Sequence, residues 1–478
     1  MSPAFLLVVF DGLRPDLVRP DTTPNLWRFA AMGTRLAHAR SVFPSETRVC
    51  SASVATGCLP RRHGLVANRI AHPLDGARSV DTGHKANLLA LEQEIGGALL
   101  GTPALGEILA AAGRDCAVLS SGTTGQTHVL NPRAAELGQV TLSAHGAQAC
   151  SPAGARLLAT LDPPPADSVA RAVWIAEVFR TRFLPAPPAA TILWLCEPDT
   201  SAHHAGLGAP ANLAALRAAD AAFGRILDDW QAGPQRDRLR VAVASDHGHA
   251  GITGHVDVGA ALAGLDGFAD CTLLPGNSGG IAVPGGDAAR VAALAGWLTR
   301  QDWAGCVFAA DGADLPPGVL PRSALLADHP RAAPVLFTLR TSLGPTAHGL
   351  PGGTLYDGGL PVGGGTHGGL SAAELHVVLM LAGGGIRAGE VSEWPAGLPD
   401  IAPTALALLG VGGGAAMDGR VLAEALENGA EPADSPAPES WEAADGPYSQ
   451  RLSRTRLGRH TYLDAGGRSY DIERYPGG

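Results

Sequence analysis

Lysine is almost absent from this chain. Lys85 stands alone among 35 basic residues, and the rest are arginine. That bias reads as genome composition rather than as function. A basic balance is absent too: the formal net charge is −10 and the isoelectric point about 5.9. Binding a phosphate backbone needs a basic face, so a nucleic-acid polymer is excluded as the main partner. Long apolar runs are missing. The first, "AFLLVVF" at residues 4–10, meets Asp11 at once and is too short for a membrane span or a secretory signal. No membrane partner and a cytoplasmic location are therefore expected. Cysteines are few, odd in number and scattered, seven in all, which fits reduced thiols rather than a disulfide framework. No tandem repeat is visible, and the 63 glycines and 37 prolines show no collagen-like period.

What is present is a chain of 478 residues, 46% apolar, long enough for a large core with insertions. "FLLVVFDG", "CAVLSSG", "ATILWLCEPD", "RVAVASDHG" and "ELHVVLMLAG" read as buried strands. "TTPNLWRFAAMG" reads as a helix with Thr23 as N-cap and Gly33 past its end, and residues 208–230 as a longer one. Alternating strands and helices predict an α/β fold, a mostly parallel sheet with helices on both faces. Residues 1–250 and 365–425 would form this core. The Gly-, Pro- and Ala-rich residues 250–365 break the rhythm and read as an inserted cap. Residues 426–440 read as a linker. Residues 441–478 read as a small antiparallel element, with a hairpin turning at 465–467.

Strand ends followed by Asp or His recur, and ligands bind beyond the carboxyl ends of strands in such sheets. The metal-capable groups near these ends are Asp11, Asp199, His203, Asp246, His247 and His367. Asp199 and His203 are one helical turn apart and can aim at one ion. His367 sits in "VGGGTHGG", where glycines let backbone approach a crowded centre. Carboxylate oxygen and imidazole nitrogen together suit zinc, and manganese or iron can use the same donors. Two ions would clamp the attacking and leaving oxygens of an in-line displacement. Taken singly, a strand-end aspartate is more often a turn or helix cap; the ordered set of six raises the odds. His249, His255 and His348 flank these residues and are expected in supporting or cap positions.

Four candidate nucleophiles crowd residues 41–64: Ser45, Thr47, Cys50 and Cys58. Cys58 opens a C-x-P-x-R string, the mark of the modified cysteine in sulfatases. Residues 47–57 read as a helix starting at Thr47, where free N–H groups favour phosphate.

The chain resembles the alkaline phosphatase superfamily, and most its nucleotide pyrophosphatase/phosphodiesterase branch. The matching stretches are "VVFDGLRPD", "FPSETRVCSASVATGCLPRRHGLVAN", "EPDTSAHHAG", "SDHGH" and "GTHGG". The resemblance implies two zinc ions, one on Asp11, Thr47, Asp246 and His247, the other on Asp199, His203 and His367. It implies that Thr47 attacks phosphorus and becomes a phosphothreonine, with Asn68 hydrogen-bonding a phosphoryl oxygen. Cys58 falls eleven residues after the nucleophile position and is not expected to react.

The chain departs from the branch in places. Arg48 stands where the branch carries a base-stacking aromatic after the nucleophile. It can hold a second anionic group of the substrate or serve in a salt bridge. Trp194, five residues before Asp199, is placed either in a pocket wall or in the core. "RTRLGRHTYLDAGGRSYDIERY" resembles the closing hairpin of sulfatases. The expected activity is hydrolysis of small-molecule phosphate diesters or pyrophosphates. The alternative is a phosphonate, phosphate monoester or sulfate ester hydrolase on the same site. Phosphonoacetate hydrolases place lysines in the cap, which Lys85 alone cannot match. A non-catalytic binding protein and a metal-dependent mutase with a serine nucleophile are weaker readings.

Overall fold

In a computed structural model the described residues are 2–469, apart from 75, 77, 313 and 314. The strand Ala4–Phe10 (β1) is buried along its whole length. Phe5, Leu7 and Val9 enter one core while Leu6, Val8 and Phe10 enter another. A strand covered on both faces needs apolar residues at every position, which is why β1 reads as a run rather than an alternation. The same holds for Cys116–Ser120 (β3) and Ala190–Leu195 (β5).

Eight strands form the main sheet. The others are Thr34–Arg40 (β2), Val140–Ser143 (β4), Leu239–Ala244 (β6), Leu379–Ala382 (β7) and Glu390–Gly397 (β8). The spatial order is β8-β2-β7-β6-β1-β5-β3-β4. β1 pairs in parallel with β5 and with β6. β7, from "ELHVVLMLAG", runs antiparallel to both its neighbours, and the remaining pairings are parallel. β2 and β8 were not legible as strands: β2 alternates buried and exposed residues, and β8 breaks register around Ser392 to Pro395.

On one face lie Thr47–Thr56 (α1) and the helix Ile401–Leu409. On the other lie Pro24–Met32 and Pro210–Ala232, whose Phe29 and Phe223 pack edge to face. Thr23 is the N-cap residue of Pro24–Met32, but its hydroxyl makes no capping bond to the helix.

Residues 250–366 build two further sheets. One has five strands, including Ser278–Ala282, Ala304–Ala309 and Val335–Leu339. Those strands and the helix Ala288–Thr299 enclose a separate core of Ile281, Leu294, Val307 and Phe337. The other has four strands and ends on Gly365–Thr366, just before His367. Arg14 ties this region to the main sheet, donating from Nη1 to the carbonyls of His249 and Pro351 at 2.8 Å each.

The C-terminal element is a three-stranded antiparallel sheet: Ala437–Asp445, Tyr448–Leu457 and His460–Arg468. Two expectations are corrected here. The linker reading of 426–440 overruns the first strand, which begins at Ala437. The last hairpin turns at Gly458 and Arg459, with Gly458 at φ 57°, not at 465–467. Those residues lie inside the last strand, because Gly466 is buried and donates its N–H to the Leu370 carbonyl. The "YDIERY" part of the sulfatase-like ending, residues 470–475, lies outside the described residues.

Candidate metal centre and active site

The carboxyl ends of β1, β5 and β6 converge. Asp11 immediately follows β1, Asp246 follows β6 by two residues, and Asp199 opens the helix Asp199–Ala205 beyond β5. The backbone closes this ring: Asp199 N–H donates to the Asp11 carbonyl at 3.0 Å, and Gly12 N–H donates to Asp246 Oδ1 at 3.0 Å. Gly12 has φ 70°, and a Cβ there would stand 2.2 Å from His249 Cε1. Only glycine fits this turn.

Four imidazoles face the three carboxylates. His203, His247, His249 and His367 set Nδ1 against the carbonyls of Gly365 (2.7 Å), Gly248 (2.9 Å), Gly12 (2.9 Å) and Ser45 (2.8 Å). A carbonyl only accepts, so each Nδ1 carries a proton and each Nε2 is offered to the site. His203 Nε2 lies 3.1 Å, His249 Nε2 3.0 Å and His367 Nε2 3.6 Å from Asp199 Oδ1. His247 Nε2 lies 3.4 Å from Asp11 Oδ1 and 3.3 Å from Asp246 Oδ2. The rings of His247 and His367 stack with centroids 3.6 Å apart.

Three donor sets lie within ion-binding reach: Asp11, Asp246 and His247; Asp199, His203 and His249; and Asp199, His247 and His367. Asp11 Oδ1 and Asp246 Oδ2 are buried with no hydrogen-bond donor. A bare buried carboxylate oxygen is costly, and a cation between the two removes that cost. The electrostatics point the same way. Burial, and then Asp11, push Asp246 well above the usual carboxylate range. Burial opposes a proton on His247, yet Asp246 and Asp11 raise it to about 10. Burial also acts to raise Asp199, but His203, His249 and His367 hold it well below its ordinary value. The centre demands positive charge, and its oxygen and nitrogen donors fit divalent metal ions.

Thr47 is the first residue of α1, and its Oγ1 lies 3.2 Å from His247 Nε2. The other candidate nucleophiles are spent elsewhere. Ser45 Oγ donates to the Gly369 carbonyl and accepts from Gly368 N–H, pinning the His367 loop. Cys50 and Cys58 are buried, and burial raises both thiols, away from the reactive thiolate. Asn68 is fixed beside the start of α1. Its Oδ1 accepts the Arg48 N–H at 3.2 Å, and its N–H donates to Glu46 Oε2. That leaves the Asn68 amide nitrogen as the donor to spare.

Trp194 has no exposed surface, so it does not wall a pocket. Its indole N–H donates to Asp11 Oδ2 at 2.8 Å, holding that carboxylate from the core side. His249 sits inside the cluster rather than beside it. The alternation in "SDHGH" was its only signal; the backbone beside it packs so closely that a Cβ at Gly248 would meet the Ala373 carbonyl at 2.1 Å. His255 instead reaches the Leu360 carbonyl at 2.7 Å. A cavity of about 150 Å³ lies at the start of α1, lined by Glu46, Arg48 and Asn68 from the core and by Leu274, Ser278 and Leu336 from residues 250–366.

The type I phosphodiesterase/nucleotide pyrophosphatase family model matches residues 5–292, which hold Asp11, Thr47, Asp199, His203, Asp246 and His247. The chain belongs to this family. Curated relatives include bis(5'-adenosyl)-triphosphatase ENPP4 from Mus musculus, 37% identical over 67 residues, and from Homo sapiens, 37% over 68. Each match spans only 14% of this chain and 15% of the relative. Among solved structures, murine ectonucleotide pyrophosphatase/phosphodiesterase 5, an inactive form in complex with AMP, aligns with a TM-score of 0.61 at 18% identity. It covers 86% of this chain and 96% of that one. This likeness establishes the alkaline phosphatase-like fold over nearly the whole neighbour. No helix among the described residues is long and apolar enough to cross a membrane.

Proposed function

We propose that this family member is a two-metal hydrolase of small-molecule phosphate diesters or pyrophosphates, working through a phosphothreonine on Thr47. The observation that carries the reading is Thr47 Oγ1, 3.2 Å from His247 Nε2, the nitrogen that also lies 3.4 Å and 3.3 Å from the donor-less oxygens of Asp11 and Asp246. Asp11, Thr47, Asp246 and His247 would hold one ion. Asp199, His203 and His367 would hold the other, with His249 against the same Asp199 oxygen. Zinc suits these donors, and manganese or iron can replace it. Bound divalent ions supply the charge that makes the Thr47 hydroxyl nucleophilic and neutralises the phosphoryl oxygens.

Thr47 Oγ1 attacks phosphorus, and the bond to the leaving alcohol or phosphate breaks. The free N–H groups at the start of α1 and the Asn68 amide donate to the non-bridging oxygens, where charge builds in the transition state. Water then cleaves the Thr47–phosphorus bond and releases the phosphoryl product. The bis(5'-adenosyl)-triphosphatase relatives support a diester or pyrophosphate substrate. The unpaired cysteines support a cytoplasmic location.

The test is kcat/KM on bis-(p-nitrophenyl) phosphate, p-nitrophenyl phosphate and p-nitrophenyl sulfate, using metal-stripped protein reloaded with zinc. The diester should lead by about ten-fold or more, and Thr47→Ala should lower its kcat by about 10³-fold or more. A lead for the monoester or the sulfate would favour the alternative ester class. An active Thr47→Ala enzyme would remove the covalent mechanism.

A further inference from the structure

We propose that Arg48, assisted by Arg69, is the receptor for a second, non-reacting anionic group of the substrate, a phosphate or a carboxylate. The inference rests on the hydrolase reading and names the substrate class within it: a phosphate ester carrying another anion a few bonds from the reacting phosphorus. Arg48 follows Thr47 directly and its side chain is 16% exposed, on the wall of the cavity at the start of α1. Yet its guanidinium is hardly used. Among the described residues its one side-chain hydrogen bond is a long contact, Nε to Thr82 Oγ1 at 3.4 Å. Its nearest carboxylate, Asp81 Oδ1, stands 4.0 Å away. Guanidinium is a planar fork suited to bidentate capture of carboxylate or phosphate, and a mostly buried one normally spends its donors.

Carboxylates act on the guanidinium, Glu46 most, then Asp81, Asp11 and Asp199, but among the described residues none of them accepts a hydrogen bond from it. Asp81 is shared with Arg69, whose Nη2 lies 3.5 Å from Oδ2 and whose side chain is 44% exposed. Glu46 also lines the cavity; its Oε2 accepts the Asn68 N–H, and its charge reaches Arg48 without a hydrogen bond between them. Arg331, the third arginine there, spends Nη1 on the Leu99 carbonyl. A nucleobase finds little to stack on, since Phe43 is the lone aromatic among the described lining residues. Val66, Ile70 and Leu336 can instead cover a short apolar linker between phosphorus and the second anion.

The experiment compares three p-nitrophenyl phosphodiesters whose second arm is ethyl, 2-carboxyethyl or 2-(phosphonooxy)ethyl, on the metal-loaded wild type, Arg48→Gln and Arg48→Lys. One or both anionic arms should exceed ethyl in kcat/KM by about ten-fold or more, mainly through KM. The better arm says whether phosphate or carboxylate is preferred. That ratio should fall toward one in Arg48→Gln and recover in part in Arg48→Lys. Should the variants fold poorly, the wild type alone decides: 2-carboxyethylphosphonate or its phosphate counterpart should inhibit at least several-fold more tightly than ethylphosphonate. Equal turnover of all three esters, or a ratio that Arg48→Gln leaves intact, overturns the anion receptor while the hydrolase reading stands. No turnover of any ester sinks the hydrolase reading and this inference with it.

Discussion

Asp11 has one oxygen held by Trp194 Nε1 at 2.8 Å and the other without a donor. The indole fixes which oxygen faces the centre. Such outer hydrogen bonds orient a ligand, and losing one weakens metal binding by about 10- to 100-fold. Trp194→Phe keeps most of the packing and removes the donor. Its affinity for zinc, measured by chelator competition, should fall within that range while its far-UV circular dichroism stays as in the wild type. Unchanged affinity would make Trp194 a packing residue only. At this scale the sequence was informative for residues that carry chemistry in their own side chains, such as Asp11 and Thr47. It was ambiguous for Trp194, because a buried indole and a pocket wall look alike until the direction of the N–H is known.

The helix α1 presents Thr47 at one end and stops at the other on Gly57, which has φ 64° and donates its N–H to the Ser53 carbonyl. A Cβ on Gly57 would meet Met417 Sδ at 2.4 Å and Met417 Cγ at 3.0 Å. Gly57→Ala therefore combines a left-handed penalty with a packing clash and should cost roughly 1–3 kcal/mol. That cost should appear as a lower urea midpoint with an unchanged slope. An unshifted midpoint would mean that the helix end relaxes freely. Strands β1, β3, β5 and β6 were legible because both their faces are covered. β2 and β8 were not, since alternation broken by register shifts resembles loop sequence. The turn at 458–459 lost out to "DAGG", whose glycine serves close packing instead of reversal.

Across the whole molecule, several buried or half-buried histidines hold a proton more weakly than a free imidazole. Burial, with a contribution from His329, lowers His63 to about 3. Burial, with Arg40, lowers His376 to about 3, and burial, with Lys85, lowers His128 to about 4. The unfolded chain takes up these protons near the ordinary 6.5 and the folded one does not. Stability from this source is therefore complete above about pH 6.5 and declines as pH falls toward 4 and 3. The effect is on the order of a few kcal/mol per fully buried site. His63 Nε2 lies 3.0 Å from Ser53 Oγ, a contact a glutamine amide can also make. His63→Gln should flatten the fall in melting temperature between about pH 7 and about pH 4.5, whatever its effect at neutral pH. A parallel fall in both proteins would show that His63 does not contribute to acid unfolding.

The sequence by itself determined the α/β class, the strand-end placement of Asp11, Asp199 and Asp246, and Thr47 at a helix start. Those features depend on local pattern: apolar runs for strands covered on both faces, and acids or hydroxyls where those runs and helices begin and end. Only the tertiary structure decided what crosses between elements. Among these are His249 meeting Asp199 inside the cluster, Trp194 turning its N–H to Asp11, and Arg48 left with donors to spare beside a cavity. Each depends on residues far apart in the chain meeting in three dimensions, and no local pattern encodes that distance.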